Sequence, residues 1–172
     1  SDVYKRQELS YGIKKTLEPK KVVVIGGGVA GMEAALTAKL SGHSVVLLEA
    51  SDKLGGNLIA ASQHSFKEDM RMLNEWFQRE LFKKGIEVIF NNKATVDVIR
   101  QLGADVVIEA VGSTPINLKI PGCEHPKYAS CMDVLVGGRK VGEKVTIVGG
   151  GLTGVEMAIE YSMEGKKVTP VK

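Results

Sequence analysis

The sequence predicts an α/β protein: a parallel sheet with helices on both of its faces. Three observations carry that prediction. Short, wholly apolar runs such as VVVI (22–25) and SVVLL (44–48) have the pattern of strands buried on both sides of a sheet. These runs alternate with stretches at helical spacing, and strand–helix–strand alternation builds a parallel sheet through right-handed crossovers. The whole phrase then recurs: VVVIGGGVAGMEAALTAKLSGHSVVLLEA (22–50) has a near twin in VTIVGGGLTGVEMAIEYSMEGKKVTPVK (145–172), 123 residues further on.

Each element has its own justification. Residues 1–20 open with SDVYKRQ, fit no periodicity and are expected to be an irregular lead-in. After VVVI and its glycine loop, residues from Ala30 to about Leu40 suit a helix that Gly42 ends. SVVLLEA is a second buried strand, closing on an acid. SDKLGGNL is a turn-rich loop. Ser65 with Glu68 three residues on has the capping-box pattern, so a helix is expected to open there. Phe66, Met70, Leu73, Phe77 and Leu81 follow at helical spacing with Trp76 on the same apolar face, expected in the core, and Gly85 as a stop. IEVIF reads as a strand, NNKATV as an extended piece, VDVIRQLG as a short helix and DVVIEAVG as a strand. The segment Ser113–Pro126 holds three of the five prolines and is expected to be a connector. A short helix around Met132–Val136 precedes VTIV, where the phrase begins again.

The bulk composition narrows the function classes. Of 172 residues, 44% are hydrophobic and 25% charged, the profile of a globular protein. The 23 basic and 20 acidic residues are spread without a long basic run, which favours neither nucleic acid nor a membrane surface as partner. No apolar run approaches the roughly 20 residues that span a bilayer, and no secretory signal is visible. Cys123 and Cys131 form neither a disulfide framework nor a zinc spacing, so no metal site and a cytoplasmic location are expected. His43, His64 and His125 are scattered and read as surface or loop residues rather than bases.

The repeat carries the chemistry. Gly26-x-Gly28-x-x-Gly31 and Gly149-x-Gly151-x-x-Gly154 are both GxGxxG, each following an apolar strand and opening a helix. The first glycine allows the tight turn, the second lets main-chain N–H groups approach a pyrophosphate, and the third lets helix and strand pack closely. The anion then sits at a helix N-terminus, with Val29 and Ala30 in the first turn and Leu152 and Thr153 in the second contributing amides. Glu49 lies 18 residues past Gly31, beside Ala50, near the spacing at which an acid takes a ribose hydroxyl pair. The same spacing in the second copy falls on Lys172. A lysine there suits the 2′-phosphate of NADPH, whereas Pro170 is out of place in a central strand and argues against reading that end literally. The NADH or NADPH choice stays open. Two dinucleotide units in one chain imply a redox pair, a flavin at the first and a nicotinamide at the second.

KKVVVIGGGVAGMEAA, SVVLLEA, SDKLGGNLIAAS, DVVIEAVGSTP and VTIVGGGLTGVEMA, in that order, resemble the two-nucleotide flavoprotein superfamily. The likeness is strongest to the C-terminal half of NADH:flavin oxidoreductases of the 2,4-dienoyl-CoA reductase and 2-enoate reductase type. The resemblance spans about 20–169. It implies a Rossmann-like fold with an FAD-binding segment (21–113), a connector (114–143) and the truncated start of an NAD(P)H-binding segment (144–172). It implies FAD on Gly26, Gly28, Gly31 and Glu49, with Lys53, Gly56 and Asn57 in the next loop. It further implies that the backbone of Ala94 meets adenine and that Ala110-Val111-Gly112 lies near the flavin. Gly149, Gly151 and Gly154 take the nicotinamide dinucleotide, with Glu156 near the nicotinamide. The family's FMN and iron–sulfur cluster belong to an upstream barrel of the same polypeptide; this piece carries only about half of its nucleotide domain, so weak or absent turnover is expected of it by itself.

Three departures stand out. GGNLIAAS lacks the paired cysteines of the disulfide-reductase branch, which disfavours dithiol chemistry. Val111 replaces the usual threonine, and Glu109 puts a carboxylate where a buried strand normally ends apolar. Beside the oxidoreductase reading stand a glutamate-synthase-type electron-input flavoprotein and a non-catalytic nucleotide-binding module.

Overall fold

The computed structural model describes residues 12–116 and 119–171. The first residues of the lead-in and Lys172 lie outside them, so the 2′-phosphate expectation for that lysine has no structural counterpart here. The chain divides into two compact units, one of residues 1–56 and 74–112 and the other of 57–73 and 113–172.

The first unit is a four-stranded, wholly parallel sheet in the order β3-β2-β1-β4, from β1 (Lys21–Ile25), β2 (Ser44–Leu48), β3 (Glu87–Ile89) and β4 (Val106–Glu109). Because side chains alternate along a strand, the apolar runs feed two cores at once. On one face, Val22, Val24, Val45 and Leu47 pack against Met32, Ala35 and Leu36 of α1 (Val29–Leu40) and Phe77 and Leu81 of the helix Glu68–Lys83. On the other, Val23, Val46 and Leu48 meet Val98 and Leu102, from α4 (Val96–Gln101) and its C-cap. Helices thus cover both faces, as the sequence predicts.

Two helices depart from expectation. A short α2 (Asn57–Ala61) rises directly from the glycine loop, where only a turn was expected. The following helix, α3 (Glu68–Lys83), does not use Ser65 as a cap. Ser65 instead gives both its N–H and its hydroxyl to Glu160, so a tertiary acceptor outcompetes the local box. On α3 only Phe77 and Leu81 are buried, while Trp76 is 44% exposed, its ring in a T-shaped pair with that of Phe77, centroids 5.0 Å apart. The stripe is therefore narrower than the spacing suggests, and Trp76 is not a core residue. Glu109 is exposed at the end of β4, an edge strand among the described residues, so its carboxylate meets no desolvation cost.

The second unit contains α5 (Cys131–Leu135), β5 (Lys144–Val148), α6 (Leu152–Met163) and β6 (Lys167–Val171). Helix α5 has a complete capping box, Ser130 with Asp133. β5 and β6 pair in parallel, with Ile147 opposite Pro170. Lys167 and Val171 make the bonds to the β5 side, so Pro170, pointing to the other edge of β6, removes no ladder donor. Ile147, Met157 and Tyr161 form the core, with Cys131 and Val134 against it.

Candidate functional site: twin glycine turns

The two GxGxxG turns fold alike. Gly26 has φ +103° and Gly149 φ +107°, a region open to glycine and strained for other residues. The N-cap glycines match as well, Gly28 at φ −74°, ψ 179° and Gly151 at φ −72°, ψ 176°. Neither helix has a side-chain cap. The first intrahelical bonds after the caps run from Met32 to Gly28 and from Val155 to Gly151. The amides of Val29, Ala30 and Gly31, and of Leu152, Thr153 and Gly154, therefore lack a helical acceptor and face outward at the positive end of the macrodipole.

Each glycine has a distinct reason. A Cβ on Gly31 would come within 1.8 Å of the Gly26 carbonyl oxygen, and one on Gly154 within 2.1 Å of that of Gly149. These are the third glycines, and they let helix and strand close on each other. A Cβ on Gly28 or Gly151 would meet nothing within 4 Å, so the cradle is open where a ligand's oxygens have to approach. The main chain thus fits a pyrophosphate at both turns.

Around the first turn the structure gathers most of the residues read from the sequence. Glu49 directly follows β2 with its carboxylate on the turn: Oε2 accepts the Gly27 N–H at 2.7 Å and Oε1 the Ser51 N–H and hydroxyl, each at 2.7 Å. Burial pushes its pKa up, but the Ser51 amide and hydroxyl and the Gly27 amide outweigh this and hold it below the ordinary carboxylate value. The result is an ionised acceptor at the mouth of the turn. Ala110 donates its N–H to Ile25, and its carbonyl oxygen would lie 2.4 Å from a Cβ on Gly26. Val111 is 61% exposed beside it and Gly112 turns at φ +70°. Gly55 bridges to Gly28, and a Cβ on Gly56 would meet the Gly28 Cα at 3.1 Å.

Other expected residues lie apart. Lys53 is exposed, and only its main chain joins the local network, its carbonyl accepting from the Ser51 hydroxyl and its N–H donating to the Ser51 Oγ. Ala94 packs on the opposite face with Val23, Val46 and Leu48. Asn57 begins α2 and donates to the Ser113 carbonyl at 3.3 Å. Leu152 is 75% exposed at the second turn. Glu156 is mostly covered, paired with Lys67.

Sequence reasoning missed several residues. Gly27, an x in the motif, is crowded: a Cβ would lie 2.3 Å from Leu54 Cδ2 and 2.8 Å from Glu49 Oε2, so the ends of both side chains, including the Glu49 carboxylate, would have to shift. Ser51 was one loop residue among several, though its place two positions past the acid is a signal for a local side-chain to main-chain bond. His64, read as a surface or loop residue rather than a base, does lie in a loop, but it is only 3% exposed and stacked on Phe66 at 5.4 Å.

The comparisons with known proteins define the class first. The family described as pyridine nucleotide-disulphide oxidoreductase matches residues 20–172, so the chain belongs to that family, whose domains bind FAD and NAD(P)H. Among its relatives, the chain is 45% identical over 166 residues to a cinnamate reductase of Clostridium sporogenes, covering 96% of this chain and 25% of that protein. It is 41% identical over 166 residues to an NADH oxidase of Thermoanaerobacter brockii, covering 93% of this chain and again 25% of the relative. A solved structure of a 2-naphthoyl-CoA reductase in complex with 2-naphthoyl-CoA superimposes with a TM-score of 0.85 at 32% identity, covering 94% of this chain and 24% of that one. The chain therefore spans about a quarter of the length of these relatives, and it corresponds to the FAD/NAD(P)-binding region of oxidoreductases of the 2-enoate reductase type.

Proposed function

We propose that the first glycine turn holds FAD, that the second holds NAD(P)H, and that the chain serves hydride transfer from the second to the first. One observation carries this reading: two turns of the same backbone geometry, each with its third glycine closed and its second glycine open, lie 123 residues apart in one chain. When bound, the nicotinamide supplies a hydride that the flavin accepts.

The chain's own part is to hold and orient. The amides of 29–31 and 152–154 take the two pyrophosphates. Glu49 stays ionised through Gly27 and Ser51, and its remaining lone pairs accept from the ribose hydroxyls of FAD. Ala94 offers backbone to adenine, Ala110-Val111-Gly112 lies along the flavin, and Lys53, Gly56 and Asn57 line the loop between them. Glu156 stands on the nicotinamide side of the second turn. In a longer polypeptide of this type, an iron–sulfur cluster and FMN held upstream of this chain would take the electrons on to an activated C=C bond of an enoate or enoyl-CoA. The names cinnamate reductase and 2-naphthoyl-CoA reductase borne by relatives support that acceptor class.

The test is a fluorescence titration with FAD of the wild-type chain and of Glu49→Ala. Loss of charge-assisted ribose bonds weakens binding by about 1.5–3 kcal/mol. Equal affinities for the two proteins, or no FAD binding by the wild type, overturn the assignment.

A further inference from the structure

The carboxylate of Glu49 is nearly full before any ligand arrives. A carboxylate has about four acceptor positions, two on each oxygen. Main-chain amides take two of them, the Gly27 N–H on Oε2 and the Ser51 N–H on Oε1, each at 2.7 Å. The Ser51 hydroxyl takes a third, also on Oε1 and also at 2.7 Å. A single position is left, on Oε2, whereas a ribose brings two neighbouring hydroxyls.

The two amides are fixed by the main chain. Asn91 and Asn92 donate to the carbonyls of Ser51 and Glu49 at 2.9 and 3.0 Å, and Glu49 donates to Ile89 at 2.9 Å, so the backbone of 49–51 is tied to the end of β3. The Ser51 hydroxyl is different, because it has a second acceptor, the Lys53 carbonyl, at 2.9 Å. A hydroxyl carries one proton and serves one of these acceptors at a time. The shorter bond, to the charged oxygen, is the stronger and is the resting position. Ser51 and Lys53 are both exposed, so no packing locks the hydroxyl there. Its alternative acceptor leads straight into Leu54 and Gly55, and Gly55 donates to the Gly27 carbonyl of the turn at 2.8 Å.

We propose that Ser51 is an exchangeable donor that sets how Glu49 grips a ribose: on binding, its hydroxyl turns from Glu49 Oε1 to the Lys53 carbonyl, and a ribose hydroxyl takes the position it leaves. This rests on the reading of the first turn as the FAD site and adds to it a positioning residue. Every donor stays partnered through the exchange. One hydroxyl replaces another on Oε1, and the displaced proton finds a carbonyl. The same count fixes the sign of the effect. Ser51 and the second ribose hydroxyl compete for one lone pair, so removing the Ser51 hydroxyl strengthens the second ribose bond. A serine that only braces the loop acts the other way: its loss loosens Glu49 and weakens the binding of every ligand.

The experiment titrates the full-length protein, stripped of FAD, with FAD and with its 2′-deoxyadenosine and 3′-deoxyadenosine analogues, following flavin fluorescence at neutral pH. The proteins are wild type, Ser51→Ala, Ser51→Thr, Glu49→Gln and the Ser51→Ala/Glu49→Gln double variant. Ser51→Ala is expected to bind FAD roughly two- to fivefold more tightly, and the penalty for removing a ribose hydroxyl grows by the same factor for at least one analogue. Ser51→Thr, which keeps the hydroxyl, restores the wild-type penalty to within about twofold. With the carboxylate gone, in the Glu49→Gln background, Ser51→Ala changes that penalty by less than about twofold. Weaker binding of FAD and both analogues alike by Ser51→Ala overturns the proposal, as does an unchanged penalty. Should Ser51→Ala fail to fold, Ser51→Cys carries the same test, since a thiol is a poor donor, and a wild-type penalty there overturns the proposal equally. Wild type that binds neither FAD nor its analogues refutes the FAD site itself, a result distinct from a wild type that binds FAD and a Ser51→Ala variant that discriminates no better.

Discussion

At the scale of single residues, the glycines of one motif do opposite jobs, and substitution separates them. Gly31→Ala drives a methyl to within 1.8 Å of a carbonyl oxygen, so the strand–helix contact has to open. It is expected to cost more than about 2 kcal/mol of stability in a thermal melt. Gly28→Ala meets empty space at an unstrained φ of −74°, so the melt is expected to stay within about 0.5 kcal/mol while FAD binding is lost. Glu49 gives a pH dependence. Its pKa in the folded chain lies below the ordinary 4.5 because the amides and hydroxyl of Ser51 and Gly27 outweigh burial. The stability it contributes is therefore fully present above about pH 4.5 and lost as pH falls through the lower folded-state value. Acid melts of wild type and Glu49→Gln should differ at neutral pH and converge below that value. The acid and the outer glycines were legible from spacing. Gly27 was not, because its constraint comes from Leu54, which reaches it only through the fold.

At the scale of elements, periodicity located every helix but the short α2, and it misjudged the face and start of α3. Helix α3 shows this at adjacent positions: Phe77 is 5% exposed and Trp76 44%. Phe77→Ala is expected to cost about 3–5 kcal/mol. Trp76→Ala, although it removes the larger side chain, should cost about 1 kcal/mol or less in the same denaturant melt. Equal losses would contradict the helix orientation described. The start of α3 was misread for a related reason. A capping box is a local competition, and Ser65 loses it to Glu160, 95 residues away. The box at Ser130 and Asp133, with no such rival, forms in full and caps a helix of only five residues.

At the scale of the whole molecule, the repeat allows twin positions to be compared. Met32 and Leu36 on α1 are 0% and 5% exposed, covered in part by Val106 and Ile108 of β4. Their counterparts on α6, Val155 and Ile159, are 47% and 45% exposed, along a groove of about 590 Å3 that also meets Gly149 and Pro170. Among the described residues the second unit has two strands, and none takes the place that β4 takes beside β1. The same substitution should therefore read differently in the two halves. Met32→Ser and Leu36→Ser are expected to destabilise by about 2–5 kcal/mol. Val155→Ser and Ile159→Ser should lie within about 0.5 kcal/mol of wild type in thermal melts of this chain. No helix among the described residues is long and apolar enough to cross a membrane.

By itself the sequence determined the layered α/β fold, the strand runs, the two glycine turns and the acid at the end of β2. Those features rest on contacts between near neighbours or on the strict period of strand and helix, which survive in a linear string. Tertiary structure alone decided that Trp76 faces solvent, that His64 is buried, that Ser65 serves α6 rather than α3, and that Lys67 stands against Glu156. Each of these depends on a partner from a distant part of the chain, and burial, which sets the strength of a charge or a hydrogen bond, is a property of the packed molecule.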